Sequence, residues 1–424
     1  MDTLQKLAIL GEGAAQEHEL SAGQSAPACF SPQRIPEPDA RYRRHRNAIV
    51  KGADRLPPAA AGLPGSIHVS PVGNGKTVRL LKVLQTNICE FDCFYCEHRA
   101  GRDVPRTYVS PEELARTFMT LHRKRFVEGL FLSSGITRKI DTMQERMVQT
   151  AEILRKRYAF KGYIHLKILP GASHAAVEQT LRLASRVSLN LEAPTPHHLA
   201  KLSSRKSFLD DMLTRMVWAK RLKQEHPGLI PAGQITQFVV GAAGETDQDL
   251  LTATDRLYGE IGLRRAYFSA FSPIPDTPLD HLPPAPLLRQ HRLYQADWLM
   301  RFYGFSISEL VFDERGHLPM AFDPKMAWAI GHPEFFPLEI IRADYEKLLR
   351  VPGIGPISAN RIVELRRSSV ITDARQLTRL GVVMKRAAPY LLLHGRPLTP
   401  APRRVKPAQL DLWSPETDLT RATD

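Results

Sequence analysis

Three things are scarce in this 424-residue sequence, and each scarcity removes a class of protein. No apolar run approaches the roughly 20 residues that a bilayer-crossing helix requires. Cysteine occurs four times, and three of the four are crowded at positions 89, 93 and 96, unlike a disulfide framework spread along a small secreted domain. Acidic residues are outnumbered, 44 Asp and Glu against 58 Lys and Arg, which leaves a net charge of +14. That excess favours a polyanionic partner, usually nucleic acid; a basic surface that binds nothing is the plainer alternative. The stretch from Met1 to His18 lacks the basic start and apolar core of a secretory signal, and its Leu4, Leu7 and Leu10 suit a short amphipathic helix. A cytoplasmic protein in a reducing compartment is expected, long enough for more than one packed domain.

What is present is organised around Cys89-Glu90-Phe91-Asp92-Cys93-Phe94-Tyr95-Cys96, three thiols in the order C-x-x-x-C-x-x-C directly after a largely apolar run, Val78 to Gln85. Sulfurs this close can converge on one metal centre. A structural zinc takes four ligands, and here the fourth would come from His98 or from Cys29, which stands alone in a polar, Pro-containing stretch. An iron–sulfur cube needs only three thiolates and leaves its fourth iron open. Zinc stays the simpler alternative. With Tyr95 just ahead of the last cysteine, the loop is similar to the cluster loop of radical S-adenosylmethionine enzymes. That resemblance implies that Cys89, Cys93 and Cys96 hold a [4Fe-4S] cluster. It implies too that the open iron chelates S-adenosylmethionine, and that reductive cleavage of the sulfonium yields a 5′-deoxyadenosyl radical.

Downstream, strand-like runs alternate with helix signals. Ser110-Pro111-Glu112-Glu113 reads as a helix start, with Ser as cap, Pro at the first position and acids in the first turn. Strands are expected at Gly129 to Leu132, Gly162 to Ile168, Val187 to Glu192, Gln234 to Val240 and Arg265 to Ala270. With the run before the cysteines that makes six β/α units, too few for an eight-fold barrel. The fold expected for residues 76–285 is therefore α/β, a partial (βα)6 TIM-type barrel, as the resemblance also implies. Chemistry in such folds gathers where strands end. There the resemblance implies S-adenosylmethionine contacts from Tyr95, from Ser133, Ser134 and Gly135 (in place of a Gly-Gly-Glu-like turn, without its acid), from Asn190 and Glu192 on the ribose, and from Val239, Val240 and Gly241 on the adenine. Gly244-Glu245-Thr246 resembles a recurrent family segment and reads equally well as an ordinary helix cap.

Residues 286–345 read as a helical connector. Beyond it, Leu348 to Ile362 breaks at Pro352-Gly353-Ile354-Gly355 between two short helices, and a partial second copy runs through Leu377 to Val382. The segment is similar to the helix-hairpin-helix module of DNA repair proteins. It implies a small all-α domain over 346–395 that meets phosphates through Gly353, Ile354, Gly355, Ser358 and Arg361, with Arg366, Arg367, Lys385 and Arg386 as nearby cations. A hairpin used only for packing is the alternative. The tail from 396 contains Gln409-Leu410-Asp411-Leu412-Trp413, in which Gln409, Leu410, Leu412 and Trp413 resemble a bacterial sliding-clamp-binding peptide. Residues 1–75 are weakly patterned apart from a basic run, Arg41 to Arg46, more often a solvated face than a contact. Cluster core and hairpin module together resemble radical S-adenosylmethionine proteins assigned to DNA modification or repair. Expected partners are DNA, an electron donor such as flavodoxin or ferredoxin, and the clamp, with no membrane. Two rivals stay open, an RNA- or tRNA-modifying enzyme on the same core and a non-catalytic DNA-binding iron–sulfur protein.

Overall fold

The computed structural model describes residues 2–15, 66–73 and 76–398, in two compact units that divide between Ala327 and Trp328. Cys29, the Arg41 to Arg46 run and the Gln409 to Trp413 peptide lie outside the described residues. No helix among the described residues is long and apolar enough to cross a membrane.

The first unit begins with helix α1 (Thr3–Ala15) and a hairpin of β1 (Ile67–Gly73) and β2 (Lys76–Leu84). It continues through α2 (Pro111–Arg123), β3 (Gly129–Ser133), α3 (Ile140–Glu152), β4 (Tyr163–Lys167), α4 (His174–Leu183) and β5 (Arg186–Ser188). Then come α5 (Pro196–Ala200), α6 (Thr214–Glu225), β6 (Gln234–Val240), α7 (Asp247–Arg256), β7 (Arg265–Ala270) and α8 (Leu287–Tyr303). The strands form one seven-stranded sheet in chain order, β2 to β7 parallel and β1 antiparallel to β2. All six expected strands are present, in a curled half-barrel. β5 is shorter than its apolar run, because the chain beyond Ser188 turns toward Gln237 and Val239 and rejoins β6 only at a bridge between Glu192 and Phe238. β1 was not foreseen.

The helices start where their sequences predict. Ser110 caps α2 by accepting from the Glu113 amide at 3.2 Å, and Ser173 and Thr246 cap α4 and α7 in the same way. The core lies between sheet and helices, where Leu81, Leu130, Leu132, Phe118, Met147 and Phe238 are wholly buried. Leu7 and Leu10 of α1 are buried too, and Gly11 is obligatory: a Cβ there would stand 1.8 Å from Ser66 Oγ. Thr3 and Lys6 tie α1 to Glu113 of α2.

The sheet stops at β7 for an identifiable reason. The outer amides of β7 are taken by side chains instead of another strand: Ala266 N–H donates to the Tyr258 hydroxyl (3.1 Å), Phe268 N–H to the Tyr294 hydroxyl (3.0 Å) and Ala270 N–H to Gln290 Oε1 (2.7 Å). An edge satisfied in this way offers no donors to a further strand.

In the second unit α9 (Tyr345–Arg350) leads through the Pro352 to Gly355 turn into α10 (Pro356–Ser368), and α11 (Ala374–Arg379) leads through Gly381 into α12 (Met384–Ala387). The unit is not all-α. Strands β8 (Leu338–Glu339), β9 (Leu391–Leu393) and β10 (Arg396–Pro397) make a small sheet. Its cause is local: His394 and Gly395 both have positive φ (53° and 73°), the backbone of a tight two-residue hairpin turn, and Glu339 accepts from both of their amides.

Candidate metal centre and cofactor site

The cysteine loop leaves the carboxyl end of β2 and is tied at several places. Gln85 N–H donates to Ser133 O at 2.7 Å, Gly135 N–H to Thr86 O at 2.7 Å, and Glu90 N–H to Ile136 O at 2.7 Å, so the turn after β3 lies against the loop. A Cβ at Gly135 would come within 2.3 Å of Ile88 O, which makes glycine a packing requirement. Asn87 exchanges two hydrogen bonds of 2.8 Å with the backbone of Pro105 and Thr107. Arg106 sits inside the loop and donates to the carbonyls of Asn87 (2.6 Å), His98 (2.9 Å), Arg99 (2.9 Å) and Arg102 (3.2 Å).

A second segment straps the loop from the other side. Phe94 N–H donates to Leu202 O at 2.8 Å, Ser203 Oγ to Asp92 Oδ1 at 2.6 Å, Ser204 N–H to Asp92 Oδ2 at 3.1 Å, and Arg205 to the Glu90 carbonyl. Partial burial works against the Asp92 carboxylate, but the hydrogen bonds from Ser203 and Ser204 prevail and hold its pKa below the usual value. Lys206 follows in the same strap. Its ammonium is buried, 3.5 Å from Glu192 Oε1 and 3.5 Å from the Tyr95 hydroxyl.

Two of the three sulfurs receive a backbone donor, Cys89 from Ile136 N–H (3.5 Å) and Cys96 from His98 N–H (3.4 Å). Burial pushes the Cys93 thiol up in pKa, and burial together with Cys93 pushes Cys96 up to about 12. Clustered sulfurs, one buried and two half-buried, that repel one another suit a cationic centre that takes thiolates. Among the described residues no group of three or more Cys, His, Asp or Glu is arranged to hold a single metal ion. A cube asks for a different arrangement, because its three thiolates bind three separate irons. The donor set therefore fits a [4Fe-4S] cluster, and among the described residues no group is arranged as a zinc site.

The other expected residues are placed as follows. Ser133 and Ser134 are buried at the end of β3, beside the loop. Asn190 lines a small polar cavity with Ser188, Thr236, Gln237 and Tyr267. Glu192 is buried in the left-handed region (φ 64°), unusual for a residue with a side chain, and is pinned there by Gln237 O and Val239 N–H. Val239 and Gln237 share the face of β6 that looks into the half-barrel. Val240 is on the opposite face with Phe238, toward the helices, so of the two valines Val239 is at the mouth. Gly241 (φ 93°) permits the turn that follows, and a Cβ there would meet the Ala285 Cβ at 2.7 Å.

Glu245 is wholly buried, accepts from the amides of Gly241 and Ala243, and pairs with Arg289 at 3.5 Å. The Gly244-Glu245-Thr246 segment thus acts as a turn support and helix cap. Sequence reasoning missed Lys206, Asp92 and Arg106 altogether. The excess of basic residues hid the first and last, and their partners are far along the chain or in the backbone.

In the second unit Gly353 (φ 89°) lies against the other hairpin: Val383 N–H donates to its carbonyl at 2.9 Å, and a Cβ would meet Val383 O at 2.7 Å. Gly381 (φ 93°) faces Ser358 and Arg361 in the same manner. Ile354 and Ser358 are buried, whereas Ile357 is 68% exposed at the start of α10 and Arg361 is exposed. Arg366, expected among the phosphate-facing cations, instead donates to the carbonyls of Ile340 (2.9 Å) and Ala343 (2.7 Å) and holds the unit together.

Comparison with known proteins places one family on this geometry: residues 83–257 match the Radical SAM superfamily. No curated protein matches the chain. Among solved structures, methylornithine synthase is 16% identical, covering 51% of this chain and 60% of its own at a TM-score of 0.41. The FeFe-hydrogenase maturase of Carboxydothermus hydrogenoformans is 15% identical over 51% of this chain and 50% of its own, with a TM-score of 0.40. A radical SAM methyltransferase from Sphaerobacter thermophilus is 13% identical over 59% of this chain and 82% of its own, with a TM-score of 0.40. The chain thus spans about half to three fifths of the length of the first two of these proteins.

Proposed function

We propose that this radical SAM enzyme acts on a nucleotide in DNA. Its cofactors are a [4Fe-4S] cluster and S-adenosylmethionine, bound by the domain at residues 83–257. When bound, they supply a carbon-centred radical able to abstract hydrogen from an unactivated position. Cys89, Cys93 and Cys96 would hold the cluster, with backbone donors in place at Cys89 and Cys96. Ser133, Ser134 and Gly135 would meet the methionine end of S-adenosylmethionine, Asn190 and Glu192 its ribose, and Val239 and Gly241 its adenine, with Tyr95 beside the loop. Arg106 and the 202–206 strap hold the loop in place.

The observation that carries DNA as substrate is the paired glycine hairpin of the second unit. Residues 350–398 contain nine Lys and Arg against two Asp and Glu. The exposed start of α10 offers unbonded helix amides to a phosphate, with Gly353, Ile354 and Gly355 shaping the turn and Arg361 alongside. Such contacts position a nucleic acid without reading its sequence. A base inside a duplex would have to be extruded, or the substrate be single-stranded. The electron would come from a donor of the flavodoxin or ferredoxin class.

The test uses anaerobically reconstituted full-length chain with S-adenosylmethionine and dithionite, presented with duplex DNA, single-stranded DNA or tRNA. DNA should raise 5′-deoxyadenosine release above background and should compete for binding with steep salt dependence. Stimulation by tRNA alone would overturn the DNA reading in favour of RNA modification.

A further inference from the structure

We propose that Lys206, whose ammonium is buried against Tyr95 of the cysteine loop, raises the reduction potential of the cluster. The proposal rests on the reading of Cys89, Cys93 and Cys96 as cluster ligands. Two of the three sulfurs take their hydrogen bond from a neutral backbone amide, Cys89 from Ile136 and Cys96 from His98. Beside them the Lys206 side chain, only 6% exposed, brings its ammonium to 3.5 Å from the hydroxyl of Tyr95, which lies between Cys93 and Cys96 in sequence. A buried cation is costly unless something nearby carries negative charge. Glu192 supplies that charge at 3.5 Å, and a thiolate-bound cluster would add to it.

The surroundings argue that this placement is built. Lys206 ends a strap whose residues 202–205 bond to Glu90, Asp92 and Phe94, positions interleaved with the cysteines themselves. Glu192 is held in a left-handed backbone conformation that an acidic residue seldom adopts, and its carboxylate reaches the same ammonium. The strap brings a charge to the cysteine loop, and the left-handed turn at Glu192 holds that charge in place.

The redox consequence follows from charge. One electron from a reduced flavodoxin- or ferredoxin-type donor, which is itself oxidised, takes the cluster from its 2+ to its 1+ state and adds one negative charge beside Lys206. No proton has to move. A buried ammonium nearby stabilises the more negative state, so Lys206 favours reduction, and the Glu192 carboxylate works in the opposite sense.

The experiment is an EPR-monitored dithionite titration of the anaerobically reconstituted full chain as wild type, Lys206→Met, Lys206→Arg and Glu192→Gln, with iron content measured on each. Lys206→Met should shift the ratio of reduced to oxidised cluster at the wild-type midpoint about tenfold toward oxidised, equivalent to about 59 mV for a one-electron couple. Lys206→Arg should restore most of that shift, and Glu192→Gln should move the midpoint the other way. If Lys206→Met loses its iron, Lys206→Gln takes its place, and midpoints that move in the same direction in Lys206→Gln and Glu192→Gln overturn the proposal. An unchanged midpoint in a fully loaded Lys206→Met overturns it as well, all the more if S-adenosylmethionine binds that variant more weakly. A wild type that takes up no iron overturns the ligand assignment and this proposal with it.

Discussion

Arg106 offers a test of how the cysteine loop is held, independent of any bound metal. Its guanidinium bonds four carbonyls that belong to Asn87, His98, Arg99 and Arg102, so one side chain closes the loop from both ends. A net hydrogen bond contributes about 1 kcal/mol, and bonds to a charged donor somewhat more, whereas carbonyls near the surface recover part of the loss from water. Arg106→Ala should therefore cost about 3 kcal/mol of local stability. Arg106→Lys should lose about half of that, because a compact ammonium cannot span carbonyls that a planar fork reaches. The assay is native-state hydrogen exchange at the Glu90 and Ala100 amides, which bond Ile136 O (2.7 Å) and Phe91 O (2.8 Å) and open with the loop. A loss of about 3 kcal/mol speeds their exchange roughly a hundredfold. Iron uptake on reconstitution should fall in parallel. Exchange at both amides within a factor of two of wild type would show that the loop stands without Arg106.

Three further outcomes are expected. Gly353→Ala forces a side chain onto a backbone at φ 89° and into Val383 O, and should cost about 3 kcal/mol, seen as faster exchange at the Val383 amide, whereas Gly228→Ala, with nothing within 4 Å, should change little. Glu113 has its pKa depressed below 4.5, first by the Thr3 hydroxyl and then by Lys6, so it stabilises the docked α1 above that pH and loses the effect as pH falls through the lowered value. Comparison of Glu113→Gln with wild type should show about 1 kcal/mol of difference at neutral pH that vanishes in acid. Cys96→Ala should abolish the charge-transfer absorbance of thiolate-bound iron, and full iron content in that variant would refute its place among the ligands.

The parts of the fold that were legible share a physical basis. β2, β3, β4, β6 and β7 are short, largely buried runs rich in apolar side chains, so their composition marks them. β1 was hidden because Ile67 to Gly73 includes Pro71 and Gly73 and lies on the edge, where no second buried face imposes a pattern. The short sheet of the second unit depends on one turn and on Glu339, which no periodicity reveals. At the candidate site, the three cysteines are local in sequence and could be read directly. Lys206 is 110 residues from Cys96, and only the closure of the half-barrel brings it under the loop. Arg366 shows the converse: a basic residue in the expected place is consumed by backbone carbonyls of its own unit.

The capped margin of β7 has a practical corollary. The groups that finish that strand, Gln290 and Tyr294, come from α8, beyond the last strand of the sheet and outside the segment that matches the family. An expression fragment trimmed at the end of the sheet would keep every strand yet bare two of its outermost amides, an invitation to pair with neighbouring molecules. Any shortened version intended to stay monodisperse has to run through Tyr303.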